Sequence, residues 1–364
     1  MARPGRLRAA AAGLALALAL ALALALALSG PASAADAAKG LTPAGAPGPA
    51  ADPAPGLAAN LPPDCQARPS RHWQGIVPGV WVWPGAAEDI QPGNQGHVAT
   101  QVLIAQGRRA TLIDPGPGLA HGREVWRSAR CELGLEIDRV LNSHAHAENV
   151  LGNAAFGPTA GHAAIEASAT TRQSMALRCE SCRAAIAEAA ADPGLARTPI
   201  LLPAPVLQDG QRWSSDSGDW LTLEFRSAHS ESDLAWWNAR EQLLVAPSLL
   251  YQGRLPELAQ GSLQGWIAAL QALDRLQPVR LVGNRPMPRA GLAATLDYLC
   301  GLERQVLQAL ESGLSAAEAL RIGQPARPPL AEPAARHDFN LQRAWRELEP
   351  RWIQGLPATC PAPD

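Results

Sequence analysis

The sequence predicts a layered α/β protein whose functional groups lie along one sheet edge. Three observations carry this. Short segments rich in β-branched and aromatic residues alternate with segments of helical periodicity from Trp73 onward. Histidines and carboxylates gather just after the extended segments rather than within the helical ones. The one long apolar run is confined to the N-terminus, Ala9 to Leu28, and no second run of that length follows.

The N-terminal run follows Arg3, Arg6 and Arg8 and ends before the small residues Ala32, Ser33 and Ala34. This is the pattern of a signal peptide over residues 1–34, with cleavage before Ala35. The run is also long enough to span a bilayer, so an uncleaved anchor is the alternative and the only route to a membrane. Export places the mature chain in an oxidising periplasm. Residues 35–64, rich in Ala, Pro and Gly and nearly free of large apolar side chains, cannot offset their ordering entropy by burial and are expected to form a flexible tether. The folded domain is then 65–364.

The 364 residues carry a formal charge of -2, and no basic run interleaves with aromatics. That excludes a nucleic-acid partner and leaves a small molecule or a protein. Six cysteines allow fifteen pairings. A bridge between Cys65 and Cys360 would tie the ends of the domain, and Cys179 and Cys182 in "RCESC" read as a structural disulfide rather than a redox or metal pair.

Each element follows in turn. "GVWVWPG" (79–85) and "VATQVLIAQGRRATLIDPGPG" (98–118) alternate as strands around the polar turn "QGRR", so the second segment is an antiparallel pair. "HGREVWRSARCELG" (121–134) has helical spacing, and "IDRVLNSHAH" (137–146) returns to a strand that stops at two histidines. "WLTLEFRSAHS" (220–230) and "QLLVAPSLL" (242–250) are strands, "SLQGWIAALQALDRL" (262–276) a helix and "VRLVGNR" (279–285) a strand. Helices over 290–322 and "FNLQRAWRELEPRW" (339–352) close the chain.

At a strand end, residues i and i+2 point to the same side, so His144 and His146 present two imidazoles to one place. His229, in "SAHSESD" after another strand, supplies a third. Three imidazoles fill three corners of a zinc tetrahedron and leave the fourth for water, whose pKa falls to about 7 on the metal. An H-x-H pair alone is better explained by surface histidines. His72, His97, His121, His162 and His337 show no ligand-like spacing. Asp114 in "IDPGPG" and Asp233 after His229 are expected to bond backbone and support the metal loops from behind.

The order "LIDPGPG", "SHAHAENVLGNAAF", "AHSESDL", "LLVAPSLLYQGRLP", "LVGNRP" resembles the metallo-β-lactamase superfamily throughout. Within it, "NVLGNAAF", "YQGRLP", "GSLQGWIAALQAL" and "HDFNLQRAWRELE" are similar to the exported quinoprotein relay system zinc metallohydrolases and to SoxH-type proteins. The resemblance implies an αββα sandwich with metal at one edge of two sheets. It places His144, His146 and His229 on the three histidines of the first metal, and Glu148 where the superfamily has a base-like aspartate. Asn149, Ser248 and Asn284 stand where the second metal has a histidine, a bridging aspartate and a last histidine. The first site is complete and the second has lost its strong ligands, which implies one zinc ion. Glu148 would then orient water or shuttle a proton, Asn149 and Asn284 would donate to an oxyanion or substrate, and Tyr251 and Arg254 would face substrate. The function implied is hydrolysis of a small ester, thioester or lactam-like compound, with periplasmic quinoprotein components as neighbours. The alternative is a catalytically inactive accessory or binding protein on the same scaffold.

Overall fold

The computed structural model describes Cys65 and residues 72–157, 163–258, 260–320 and 334–361. The predicted signal peptide, the tether and His162 lie outside the described residues. Within them the chain forms two six-stranded sheets. The first runs β1 (Gln74–Val77), β2 (Val80–Trp83), β3 (Gln101–Gln106), β4 (Arg109–Ile113), β5 (Glu136–Leu141), β6 (Ala164–Glu166) in spatial order. The second holds β7 (Arg212–Ser215), β8 (Gly218–Arg226), β9 (Ser232–Asn238), β10 (Leu243–Val245), β11 (Arg280–Val282) and β12 (Pro286–Pro288), also adjacent in sequence order. Antiparallel pairing gives way to parallel at β4–β5–β6 and at β10–β11.

Period-two alternation decides which face each residue serves. In β3, Val102 and Ile104 point between the sheets, where they meet Trp220, Leu234, Trp236, Leu243 and Val245 of the second sheet. Leu103 and Ala105 point the other way, onto α1 (Leu119–Leu133) through Val125 and Ala129. On the far side, Ala235, Leu244 and Leu281 pack against α5 (Leu263–Asp274), α6 (Ala290–Glu311) and α8 (Ala334–Ile353) through Trp266, Leu270, Leu299, Leu341 and Trp345. The layers are therefore helix, sheet, sheet, helix, an αββα sandwich. Of the shorter helices, α2 (Ala147–Val150) and α4 (Pro193–Ala196) flank α3 (Ala169–Ala189), and α7 (Ala316–Ala319) follows α6. Among the described residues no helix is long and apolar enough to cross a membrane.

Two expectations about cysteine are corrected. The bridges are Cys65–Cys131 and Cys300–Cys360, closing 66 and 60 positions of sequence. Each anchors one end of the domain to the nearest outer helix, since Cys131 lies in α1 and Cys300 in α6. In the chain-entropy view, loops of this length add about 4 kcal/mol each. Cys179 and Cys182 remain thiols within α3. Cys179 is buried with Met175 and Ala145, and burial pushes its thiol up to about 12, an inert core residue.

Three of the histidines without assigned roles, His72, His97 and His121, form a cluster of their own. The Gln101 side chain donates to the carbonyl of Ala99, which leaves its Oε1 to accept from Nε2 of both His97 (2.8 Å) and His121 (3.1 Å). His72 stacks on Trp83, whose ring also borders the other two. Burial pulls His97 down to about 4 and His121 well below its usual value. Unfolded, such a ring takes up its proton near pH 6.5; folded, His97 does so only near 4. The stability this neutral ring contributes is whole above pH 6.5 and is lost as pH falls toward 4, on the order of 3 kcal/mol for His97. Urea midpoints at pH 7 and pH 4.5 should therefore converge in His97→Gln relative to the wild type. Equal drops in both proteins would show that the folded ring takes up its proton as readily as the unfolded one.

Candidate metal centre

The strand ends that the sequence marked meet at one edge of the sandwich. β5 ends at Leu141, and the chain then runs through His144 to His146, the residue that precedes α2. His229 sits in the turn between β8 and β9 of the other sheet. A hydrogen bond from the Leu234 amide to the Ser143 carbonyl (2.8 Å) ties the loop after β5 to β9, just past the His229 turn. Gly261 fixes the wall beyond: a Cβ there would lie 1.7 Å from the Ala228 carbonyl oxygen, so only glycine lets the chain at this position press against the His229 turn.

The three histidines converge. One nitrogen of each lies within 4.8 Å of the others, and His229 Nε2 is 3.2 Å from His146 Nδ1. Tetrahedral zinc with bonds of 2.0–2.1 Å sets its ligand nitrogens about 3.3 Å apart, so the closest pair is already at ligand spacing. Two of the three opposite nitrogens are occupied. His144 Nδ1 meets Ser143 Oγ at 2.8 Å, and that hydroxyl donates to Asp114 at 2.6 Å, so Nδ1 carries the proton and Nε2 keeps its lone pair. His146 Nε2 meets Gln260 Oε1 at 2.7 Å, which by the same logic leaves Nδ1 as the ligand atom. His229 Nδ1 is buried near the Glu257 backbone without a well-formed hydrogen bond. Burial, then the neighbouring rings, holds His144 and His229 well below their usual pKa. Neutral imidazoles are what a metal requires, so the set fits one zinc-like ion.

Two buried aspartates hold the ligand loops in equivalent ways. Asp114, in left-handed backbone at φ 56°, accepts from the Ser143 amide, the Ser143 hydroxyl and Asn149 Nδ2, at 2.6–2.8 Å. Asp233 accepts from the amide and hydroxyl of Ser230, the residue after His229, at 2.7 and 3.1 Å. Burial raises Asp114 to about 7 and Asp233 to about 6, against the pull of these donors. Asn142 and Asn153 add a reciprocal amide pair under the loop, at 2.8 and 3.0 Å.

Beside the imidazoles opens a cleft lined by His144, Glu148, Asn149, Ser248, Tyr251, Arg254 and Asn284, with Thr100 at its floor. Glu148 is partly exposed there, its Oε1 3.7 Å from His146 Nδ1. Both asparagines give one of their two amide N–H groups to the protein. Asn149 donates to Asp114. Asn284 accepts from the Gln252 amide and donates to the Gln252 carbonyl, at 2.9 and 3.1 Å, clamping the 250–252 turn. Thr100 completes that clamp through the Asn284 carbonyl. Ser248 Oγ is buried toward Asp233, short of a formed hydrogen bond. These groups do not make a second metal site, because two of the three are committed to the protein and a lone hydroxyl binds zinc poorly.

Ser143, Ser230 and Gln260 were not singled out from the sequence. The serines adjoin ligand histidines and were visible in "SHAH" and "AHS". Gln260 is 114 positions from the ring it holds and gave no signal.

Two facing sheets flanked by helices, with three convergent histidines on strand-end loops, define an αββα protein with a candidate metal site. The profile of the Metallo-beta-lactamase superfamily matches residues 95–283, and the chain belongs to that superfamily. Among solved structures, a metallo-beta-lactamase from Pontibacter korlensis shares 15% identity at a TM-score of 0.50, over 62% of this chain and 97% of its own. One from Hirschia baltica shares 16% at 0.49, over 62% and 96%. The metallo-beta-lactamase FIM-1 from Pseudomonas aeruginosa in its mono-zinc form shares 15% at 0.49, over 62% and 93%. At such identities the likeness is one of fold. No curated protein matches the chain.

Proposed function

We propose that the chain is an exported hydrolase with a single zinc ion, acting on a small ester, thioester or lactam-like carbonyl. The observation that carries this is the convergence of three neutral imidazoles whose outward nitrogens are tied to Ser143 and Gln260 in two cases out of three. Zinc held there would supply Lewis acidity and an activated water at neutral pH. His144, His146 and His229 fix its position. Glu148 faces the same space, takes the proton released as a carbonyl is attacked, and returns it to the leaving group. The cleft wall of Val98, Ala99 and Pro247 excludes water from one side of the bound acyl group.

Export to the periplasm is supported by the signal-like N-terminus and by two disulfides in so compact a domain. A place beside quinoprotein dehydrogenases rests on the resemblance carried by "NVLGNAAF", "YQGRLP", "GSLQGWIAALQAL" and the closing helix. A second reading, a binding protein that no longer catalyses, draws support from the structural use of Asn149 and Asn284. Glu148→Gln separates the two. Assayed on a panel of acyl esters and thioesters, it is expected to lower turnover by about 10²–10⁴-fold at unchanged zinc content. Turnover equal to wild type would remove Glu148 from the chemistry, and zinc-loaded wild type without turnover on the panel would favour the binding protein.

A further inference from the structure

We infer that His97, His121 and Gln101 form a separate metal site, which takes a divalent transition ion of tetragonal preference, copper(II) foremost. It stands apart from the three-histidine centre and does not rest on the proposed hydrolase. Placement of the side chains carries it. Nε2 of His97 and Nε2 of His121 both aim at one atom, Gln101 Oε1, at 2.8 and 3.1 Å, from rings whose centres are 4.1 Å apart. The Gln101 amide nitrogen is fixed on the Ala99 carbonyl at 3.0 Å, so its oxygen end is the one presented to the imidazoles. Gln101 itself is fully buried at the start of β3, a costly place for an amide without such partners. Two features hold the rings. Trp83 borders both, with ring centres 5.5 Å from His97 and 5.0 Å from His121. Gly116 makes room for His121: a Cβ there would come within 2.2 Å of the ring's Cδ2, and the backbone is left-handed at φ 92°. Both imidazoles are only half-buried, so an ion in solvent reaches them.

Donor chemistry and spacing choose the ion. Burial holds both rings below their usual pKa, so at neutral pH they are in the uncharged form that binds metal. Each ring needs only to move its proton from Nε2 to Nδ1. The two nitrogen lone pairs then replace water on the ion, and the Gln101 oxygen draws back to serve as a third ligand. An ion with bonds of about 2.0–2.1 Å sets neighbouring ligands about 2.9 Å apart at right angles and about 3.3 Å apart in a tetrahedron. The 2.8 and 3.1 Å found here lie around the right-angle value, whereas the 3.2 Å pair of the three-histidine centre suits tetrahedral zinc. Imidazole nitrogen with a neutral carbonyl oxygen suits copper(II) or nickel(II), and copper(II) binds such sets more tightly. His97 and Gln101 bracket Val98, Ala99 and Thr100, which line the cleft beside His144, so an ion here stiffens that wall from behind.

The full chain, equilibrated with zinc and desalted, is titrated with copper(II) chloride, and bound copper and zinc are counted after gel filtration. About one copper per chain is expected with zinc content unchanged, and pulsed electron paramagnetic resonance should find two imidazole nitrogens on that copper. His97→Gln and His121→Gln should each weaken copper binding by at least about tenfold, while folded His229→Ala keeps it. Circular dichroism checks each variant, and where one fails to fold the wild type decides. No bound copper in the wild type, copper that enters only as zinc leaves, or three imidazole nitrogens on the copper would each overturn the inference. So would copper held at full affinity by folded His97→Gln and His121→Gln.

Discussion

His229→Ala is expected to reduce bound zinc from about one per chain to near zero, with loss of any zinc-dependent turnover. The ring supplies one of three nitrogens, from the sheet opposite the other two, so its removal leaves only the H-x-H pair of the Ser143–His146 loop. Losing a group that merely orients a ligand costs 10–100-fold in affinity, and losing the ligand itself should cost at least ~100-fold. At a free zinc concentration 100 times the dissociation constant, binding stabilises the fold by about 2.7 kcal/mol, and this increment should vanish with the metal. His229 also packs on Trp266, with ring centres 4.9 Å apart, so alanine leaves a hole. His229→Gln fills more of it and serves as the companion variant. Metal analysis after gel filtration, with melting curves in zinc and in chelator, reads both effects. A variant that keeps stoichiometric zinc would mean that the metal is held elsewhere.

Asp114→Asn is expected to destabilise the fold by roughly 3 kcal/mol and to weaken zinc binding by about 10–100-fold, although the residue touches no metal. The carboxylate receives three donors on two oxygens. In asparagine one of those oxygens becomes an NH₂ that faces donors, so at least one buried polar group is left without an acceptor. The hydroxyl of Ser143 then loses the acceptor that sets its direction, and His144 loses the partner that fixes its tautomer. Asparagine is the right substitution because it tolerates the left-handed backbone at this position, where alanine would add strain of its own. Chemical denaturation and competitive zinc titration check the two halves. Unchanged zinc affinity in a destabilised variant would confine Asp114 to the fold.

Strands that are central and buried on both faces announced themselves. β3 and β4 are short runs rich in apolar and β-branched residues around a polar turn, and each face of the resulting ribbon meets a different layer. The edge strands β1, β6, β7 and β12, of three or four residues each, carry too short an alternation to be seen. The helix α3 was equally hidden. Its apolar residues are scattered around the axis, and the Ser168 cap, which accepts from the Thr171 amide, the packing of Met175, Cys179 and Ile186, and hydrogen bonds from Arg172, Arg178 and Arg183 hold it.

By itself the sequence determined the layered α/β class and the three imidazoles, because both depend on short-range facts: alternation along a strand and side-chain direction at its end. It also showed which second-metal positions hold serine or asparagine. Tertiary structure alone decided that Cys65 pairs with Cys131 rather than Cys360, that Gln260 holds His146, and that Asn149 and Asn284 serve the scaffold. Each of those is a distance between residues remote in the chain, and such distances are set by how the two sheets pack, which local residue patterns do not encode.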